Sequence, residues 1–193
     1  MTEVTVRGMP RILGIDSSLT SSGMCRVNLT LNPDNVNDWI ARQVDIWTIE
    51  SKPTLDKTPE GMSNRIAEII NAMEPHIAAA DLVALEGQSS FLKGSSAQVL
   101  PWLWGRIVDT TTAHATELVI VPPSLRMKYA TGKGNAQKDA VLAAAIRRFP
   151  DVDISGNDTA DAVILAAIGC RHLGLPIDDM PKAQWEPVMA KVR

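Results

Sequence analysis

The sequence has little cysteine and little histidine. Two cysteines, Cys25 and Cys170, make no disulfide framework and show no metal-ligand spacing, so both read as reduced thiols in or near the core of a cytosolic protein. His76, His114 and His172 lie far apart, and none shows the spacing of a metal site. Each reads as a surface or helix-end residue. Long apolar runs are also missing. The longest, Ala162–Cys170, falls well short of the roughly 20 residues that span a bilayer. The opening Met1-Thr2-Glu3-Val4 has no basic-then-apolar signal pattern. Internal repeats and low-complexity tracts are absent. Gly132-Lys133-Gly134 lacks the glycine spacing and Lys-Ser/Thr ending of a P-loop, which removes that nucleotide-binding reading.

What is present suits a globular domain. The chain has 193 residues and is 45% hydrophobic, enough for one domain with a full core. Its net charge is −3, unevenly spread: Gly87–Pro150 holds eight basic and three acidic residues, or +5, which leaves −8 for the remainder. A basic segment on an acidic chain is compatible with a phosphate-binding face, although solvated helix faces would give the same count.

The hydrophobic pattern predicts strands over Arg11–Asp16, Gly23–Leu31 and Val44–Ile49, with a turn at Asn32-Pro33-Asp34-Asn35. A helix follows over Glu60–Ala80, with Met62, Ile66, Ile69, Ile70, Met73 and Ile77 along one side and Pro75 expected to kink or shorten it. Then come a strand at Leu82–Glu86, a helix at Ser95–Ala115 and a strand at Leu118–Val121 stopped by Pro122-Pro123. Helices over Lys138–Phe149 and Thr159–Leu173 complete the set. Hairpins early and βαβ steps later predict an α/β fold, a mixed five-stranded sheet with helices on both faces. The expected layout is a flexible arm at 1–10, the domain at 11–173 and a C-terminal tail at 174–193.

Four carboxylates stand out on this framework. Asp16 and Glu86 each end an apolar strand, and Asp158 and Asp161 share a face at i and i+3 where the last helix starts. Carboxylates at buried strand ends are costly unless partnered, and a cluster of them repels. Divalent cations resolve both problems, and hard oxygen donors suit Mg²⁺ or Mn²⁺. Each acid also has a structural reading: Asp16 in a turn before Ser17-Ser18, Glu86 paired with a lysine, and Asn157 or Asp158 as an N-cap with Asp161 in the first turn. One shared site accounts for all of them at once.

The element order and the anchors Leu13-Gly14-Ile15-Asp16, Ala84-Leu85-Glu86 and Asp158-Thr159-Ala160-Asp161-Ala162 resemble the ribonuclease H-like superfamily, and within it the RuvC-type Holliday junction resolvases. Gly132-Lys133-Gly134-Asn135-Ala136-Gln137-Lys138 resembles that family's lysine-bearing loop. The resemblance covers residues 11–173. It implies Asp16, Glu86, Asp158 and Asp161 as ligands of two Mg²⁺ or Mn²⁺ ions, and Lys138 and Lys128 as phosphate or transition-state contacts. It further implies nicking of four-way or other branched DNA to give 5′-phosphate and 3′-hydroxyl ends, and a cytoplasmic home in a bacterial or phage-infected cell. A homodimer is implied through the helix bearing Leu100, Trp102, Leu103, Trp104 and Ile107. Lys93 and Lys133 are further candidate nucleic-acid contacts, with Lys133 reading first as a flexible-loop residue, and Phe91 is the nearest match to an aromatic that wedges the junction centre. Two departures stand: Ser17-Ser18 replaces a Pro-Gly, and Gly87-Gln88-Ser89-Ser90 lengthens the loop before Phe91.

Other functions fit parts of the pattern. Gly14-Ile15-Asp16-Ser17-Ser18-Leu19-Thr20 resembles the first phosphate loop of sugar kinases and actin-like ATPases, which use two such domains. A single-domain ribonuclease H-like enzyme acting on RNA would carry the same acids. A non-catalytic DNA-binding module would have no use for four costly carboxylates.

Overall fold

A computed structural model describes residues 9–53, 55–88 and 96–192, apart from the side chains at 36, 37, 41, 96 and 97. The strands are β1 (Arg11–Asp16), β2 (Ser21–Asn32), β3 (Asn35–Glu50), β4 (Leu82–Glu86) and β5 (Glu117–Val121). The helices are α1 (Pro59–Ala78), α2 (Ser96–Ala113), α3 (Pro123–Thr131), α4 (Lys138–Arg148), α5 (Asn157–His172) and α6 (Lys182–Met189). The strands form one mixed sheet in the order β3-β2-β1-β4-β5. β1 pairs antiparallel with β2 and parallel with β4, and β4 pairs parallel with β5.

Alternation along the strands divides the core in two. Leu13, Ile15, Val83 and Leu85 face α1 and α2, where they meet Ile66, Met73, Leu103 and Ile107. Ile12, Leu82 and Ala84 face the other way, into a cluster with α3, α4, α5 and α6. Every residue of α5 from Thr159 to Cys170 is buried, so this helix is covered by the sheet on one side and by its neighbouring helices on the other.

Several boundaries differ from the sequence reading. β3 begins near the turn and is far longer than Val44–Ile49, because pairing with β2 carries even its polar residues along the hairpin. α1 runs through Pro75 to Ala78 and is neither ended nor shortened there. Pro122-Pro123 stops β5 and also opens α3, an element the strand pattern did not reveal. A proline is preorganised for the first helical turn, where its missing N–H costs nothing. α5 starts at Asn157 with Gly156 as its N-cap, so neither Asn157 nor Asp158 caps it.

The stretch expected as a C-terminal tail packs onto the domain. Leu175, Ile177, Met180 and Val188 are buried in the α5-side cluster. Asp178, whose side chain has no exposed surface, accepts from Arg171 and from the Tyr129 hydroxyl, the latter at 3.1 Å. The other Asp178 oxygen faces Arg148 at 3.6 Å, beyond hydrogen-bonding distance.

Candidate active site

Register brings the first two acids together. Ile15 pairs with Leu85 across the parallel β1–β4 ladder, so Asp16 and Glu86, one residue on, end adjacent strands. Both share parity with Ile12 and Leu82, which places them on the α5 side of the sheet. The Glu86 end is held from both flanks: the Trp104 indole donates to the Glu86 carbonyl at 2.9 Å, and Gly87 N–H donates to Val121 at 2.8 Å. The turn after Asp16 is tied by Ser22 Oγ, which donates to the Ser18 carbonyl at 2.8 Å, and by the Arg65 guanidinium, which reaches the Leu19 carbonyl.

Two glycines let α5 close over these strand ends. A β-carbon on Gly14 would stand 2.6 Å from the Ala166 nitrogen and would also strike the Ala162 carbonyl. A β-carbon on Gly23, which pairs with Asp16, would strike the carbonyl of Asp158. The bare backbone at these positions lets the first turns of α5 lie on the sheet, so that Asp161 comes within the field of Asp16 and Glu86, and Asp158 within that of Asp161.

A fifth charged residue stands among them. Arg126, in the first turns of α3, donates from Nε to Glu86 Oε1 at 2.5 Å and from Nη1 to Asp161 Oδ1. Its side chain is 9% exposed, against 18% for Glu86 and 8% for Asp161. The electrostatics are those of a crowded acidic pocket. Burial, then the Glu86 and Asp161 carboxylates, hold the Asp16 carboxyl well above its usual range, and Arg126 offsets only part of this. Burial pushes Asp161 up to about 6; Arg126 and Lys138 pull against that shift, while Glu86 and Asp158 add to it. Burial pulls the Arg126 guanidinium down, but the three carboxylates Glu86, Asp161 and Asp16 outweigh it and raise the arginine overall.

The fold has known counterparts. The chain is 25% identical over 160 residues to the crossover junction endodeoxyribonuclease RuvC of Synechococcus sp. (strain WH7803), covering 82% of this chain and 97% of that protein. It superposes on the Thermus thermophilus RuvC structure with a TM-score of 0.59 at 16% identity, over 88% of this chain and 99% of the other. On T. thermophilus RuvC in complex with a Holliday junction substrate the TM-score is 0.58 at 16% identity, over 95% and 98% of the two chains. The chain is RuvC-like in sequence and in fold. No protein-family model matches it.

The basic residues of this RuvC-like chain separate into two groups. Lys138 opens α4 and is near enough to Asp161 to lower its carboxyl. Lys133 is exposed in the loop between α3 and α4, and Lys128 is half-buried on α3. Lys133, Gln137, Arg147 and Arg148 line an open cavity of about 870 Å³ whose lining includes none of the four acids. Arg126 turns inward instead, so its charge does not belong to a solvent-facing phosphate surface. Phe91 and Lys93 lie outside the described residues.

On α2, Leu103 and Ile107 are buried in the core, whereas Trp102 is 38% exposed and Trp104 is committed to Glu86. The region expected at a dimer surface therefore mixes core positions with one outward tryptophan. The sequence reading missed Arg126. The signal it offered was an arginine close behind Pro122-Pro123, at the start of an unrecognised helix.

The donor set fits a hard divalent cation in its chemistry: four carboxylates, no thiolate and no imidazole. Buried acceptor oxygens on Gln88 and Asn157, near Glu86 and Asp158 in the chain, have no hydrogen-bond partner among the described residues. As they stand, no three acids among the described residues are disposed around one ion position. Glu86 and Asp161 are turned to Arg126.

Proposed function

We propose that this chain is a metal-dependent endonuclease that nicks four-way junctions or other branched DNA, leaving 5′-phosphate and 3′-hydroxyl ends. The observation that carries the reading is the convergence of Asp16 and Glu86, at the ends of adjacent parallel strands, with Asp161 of α5, while Asp158 lies in the first turn of the same helix. Asp16 and Glu86 at the strand ends and Asp161 on α5 oppose one another in the folded state, a cost that a cation-dependent reaction explains. Asp16, Glu86, Asp158 and Asp161 would hold two Mg²⁺ or Mn²⁺ ions, which when bound supply water activation and neutralise charge on the phosphate.

The remaining chemistry falls to side chains beside the acids. Lys138, exposed at the start of α4 and within the field of Asp161, is placed to meet a phosphate oxygen and to stabilise charge that builds there. Lys128 and Lys133 extend a basic path along α3 and its following loop, suited to the DNA backbone. The similarity to a RuvC endodeoxyribonuclease over 82% of this chain supports DNA as substrate. A homodimer through the α2 face, with Trp102 as an outward anchor, would set two sites against opposite strands.

The test is cleavage of end-labelled four-way junctions, forks, flaps and linear duplexes with Mg²⁺ or Mn²⁺, by wild type and Glu86→Gln. Paired symmetric nicks in the junction, lost in the variant while junction binding persists, are expected. Full activity of Glu86→Gln would overturn the site assignment. Absence of metal-dependent DNA cutting would transfer the reading to RNA or to binding alone.

A further inference from the structure

We infer that Arg126 is an internal counter-ion of the acidic site, occupying the place of a divalent cation until one displaces it. The inference rests on the metal-dependent reading above and adds a residue that the reading does not need.

Arg126 is anchored through backbone, not through solvent-facing contacts. Its own N–H donates to the Pro122 carbonyl at 3.1 Å, in a helix turn that the prolines start. From there the guanidinium reaches across the sheet end, joining Glu86 of β4 to Asp161 of α5. It therefore ties together two of the four acids that would hold the proposed ions. Its donors engage one oxygen of each carboxylate. With Arg126 in this position, no three acids among the described residues are disposed around one ion position.

Charge explains why the arrangement is temporary. A guanidinium supplies one positive charge, spread over a planar group, to a site with four carboxylates. A divalent cation supplies twice the charge from a small sphere and takes more oxygen donors at once. The arginine partly neutralises the site and keeps it folded, and an entering ion must first break two charge-assisted hydrogen bonds. Arg126 therefore raises the cation concentration at which the site fills.

The test is Mn²⁺ binding by calorimetry on the full-length protein, comparing wild type with Arg126→Gln and Arg126→Lys, with thermal unfolding in EDTA and in Mn²⁺. Arg126→Gln is expected to bind Mn²⁺ about tenfold more tightly, equivalent to about 1.4 kcal/mol. It should unfold at a lower temperature than wild type in EDTA and gain more from added Mn²⁺. Arg126→Lys, which keeps the charge but loses the two-armed bridge, should fall between. If Arg126→Gln fails to fold, the wild type still decides: the Arg126 Nε–H resonance, assigned by its loss in Arg126→Lys, should move and lose protection from exchange as Mg²⁺ saturates. Equal or weaker Mn²⁺ affinity in Arg126→Gln, or an Nε–H signal indifferent to Mg²⁺, would overturn the inference and leave the metal site standing. No Mn²⁺ binding by any of the proteins would overturn both.

Discussion

Gly23 on β2 lies directly under the Asp158 carbonyl on α5, too close for any β-carbon to fit between them. This contact sets the height of the helix that carries two of the four acids. The partner of Gly23 across the ladder is Asp16, so one glycine governs how near Asp158 comes to the opposing carboxylate.

Gly23→Ala should therefore cost more than a strand glycine normally would. The obstacle is helix backbone, which cannot rotate away, and overpacking of this kind costs about 1–3 kcal/mol. Urea unfolding should report the loss of stability. Junction cleavage should fall further than stability alone explains, because α5 must lift. Wild-type stability and cleavage in the variant would contradict the account.

Lys138→Ala should separate chemistry from folding. The side chain is exposed, and such surface changes stay within about 0.5 kcal/mol. The cleavage rate should drop on the order of 10²-fold, the scale for losing one preorganised charge-stabilising group. Single-turnover kinetics on a saturated junction would check it, and an unchanged rate removes Lys138 from the site.

The metal-free protein should lose stability as pH rises through the range set by Asp161. Its carboxyl is pushed up to about 6 from an ordinary 3.8, chiefly by burial. The folded state thus holds this proton more tightly than the unfolded chain. The contribution is complete below the unfolded value of 3.8 and disappears as pH climbs through about 6. Urea midpoints in EDTA, wild type against Asp161→Asn, isolate the group: the advantage of wild type should shrink between those two pH values. An advantage that grows with pH would refute the assignment.

Asp178→Ala should damage the fold rather than the chemistry. It would leave Arg171, only 8% exposed, without its carboxylate, and breaking one side of a buried pair costs about 3–5 kcal/mol. The segment from Leu175 onward should loosen, and trypsin should cut at Lys182 in the variant well before wild type. Equal resistance of the two proteins would show that the buried apolar residues hold the segment alone.

Much of the sheet could be read from the chain because strands bury alternate residues, and that alternation is written in Ile12 to Ile15 and Leu82 to Leu85. The candidate acids were legible for the same reason: a carboxylate that ends an apolar run is costly without a partner. The helix α3 was not legible, since prolines that end a strand also begin a helix, and only the neighbours decide between the two. Nor was the docking of 174–192, whose apolar residues are scattered and whose anchor is one buried carboxylate between two arginines.

The sequence by itself determined which residues carry charge into apolar surroundings and on which face of each strand they fall, because side-chain parity is a local property of the backbone. Tertiary structure decided what meets what. It brought Arg126, forty residues from Glu86 and thirty-five from Asp161, between those two acids. No local pattern encodes that placement. It follows from the register of β4 and β5, the proline-started turn of α3 and two glycines that let α5 come down, all acting at once.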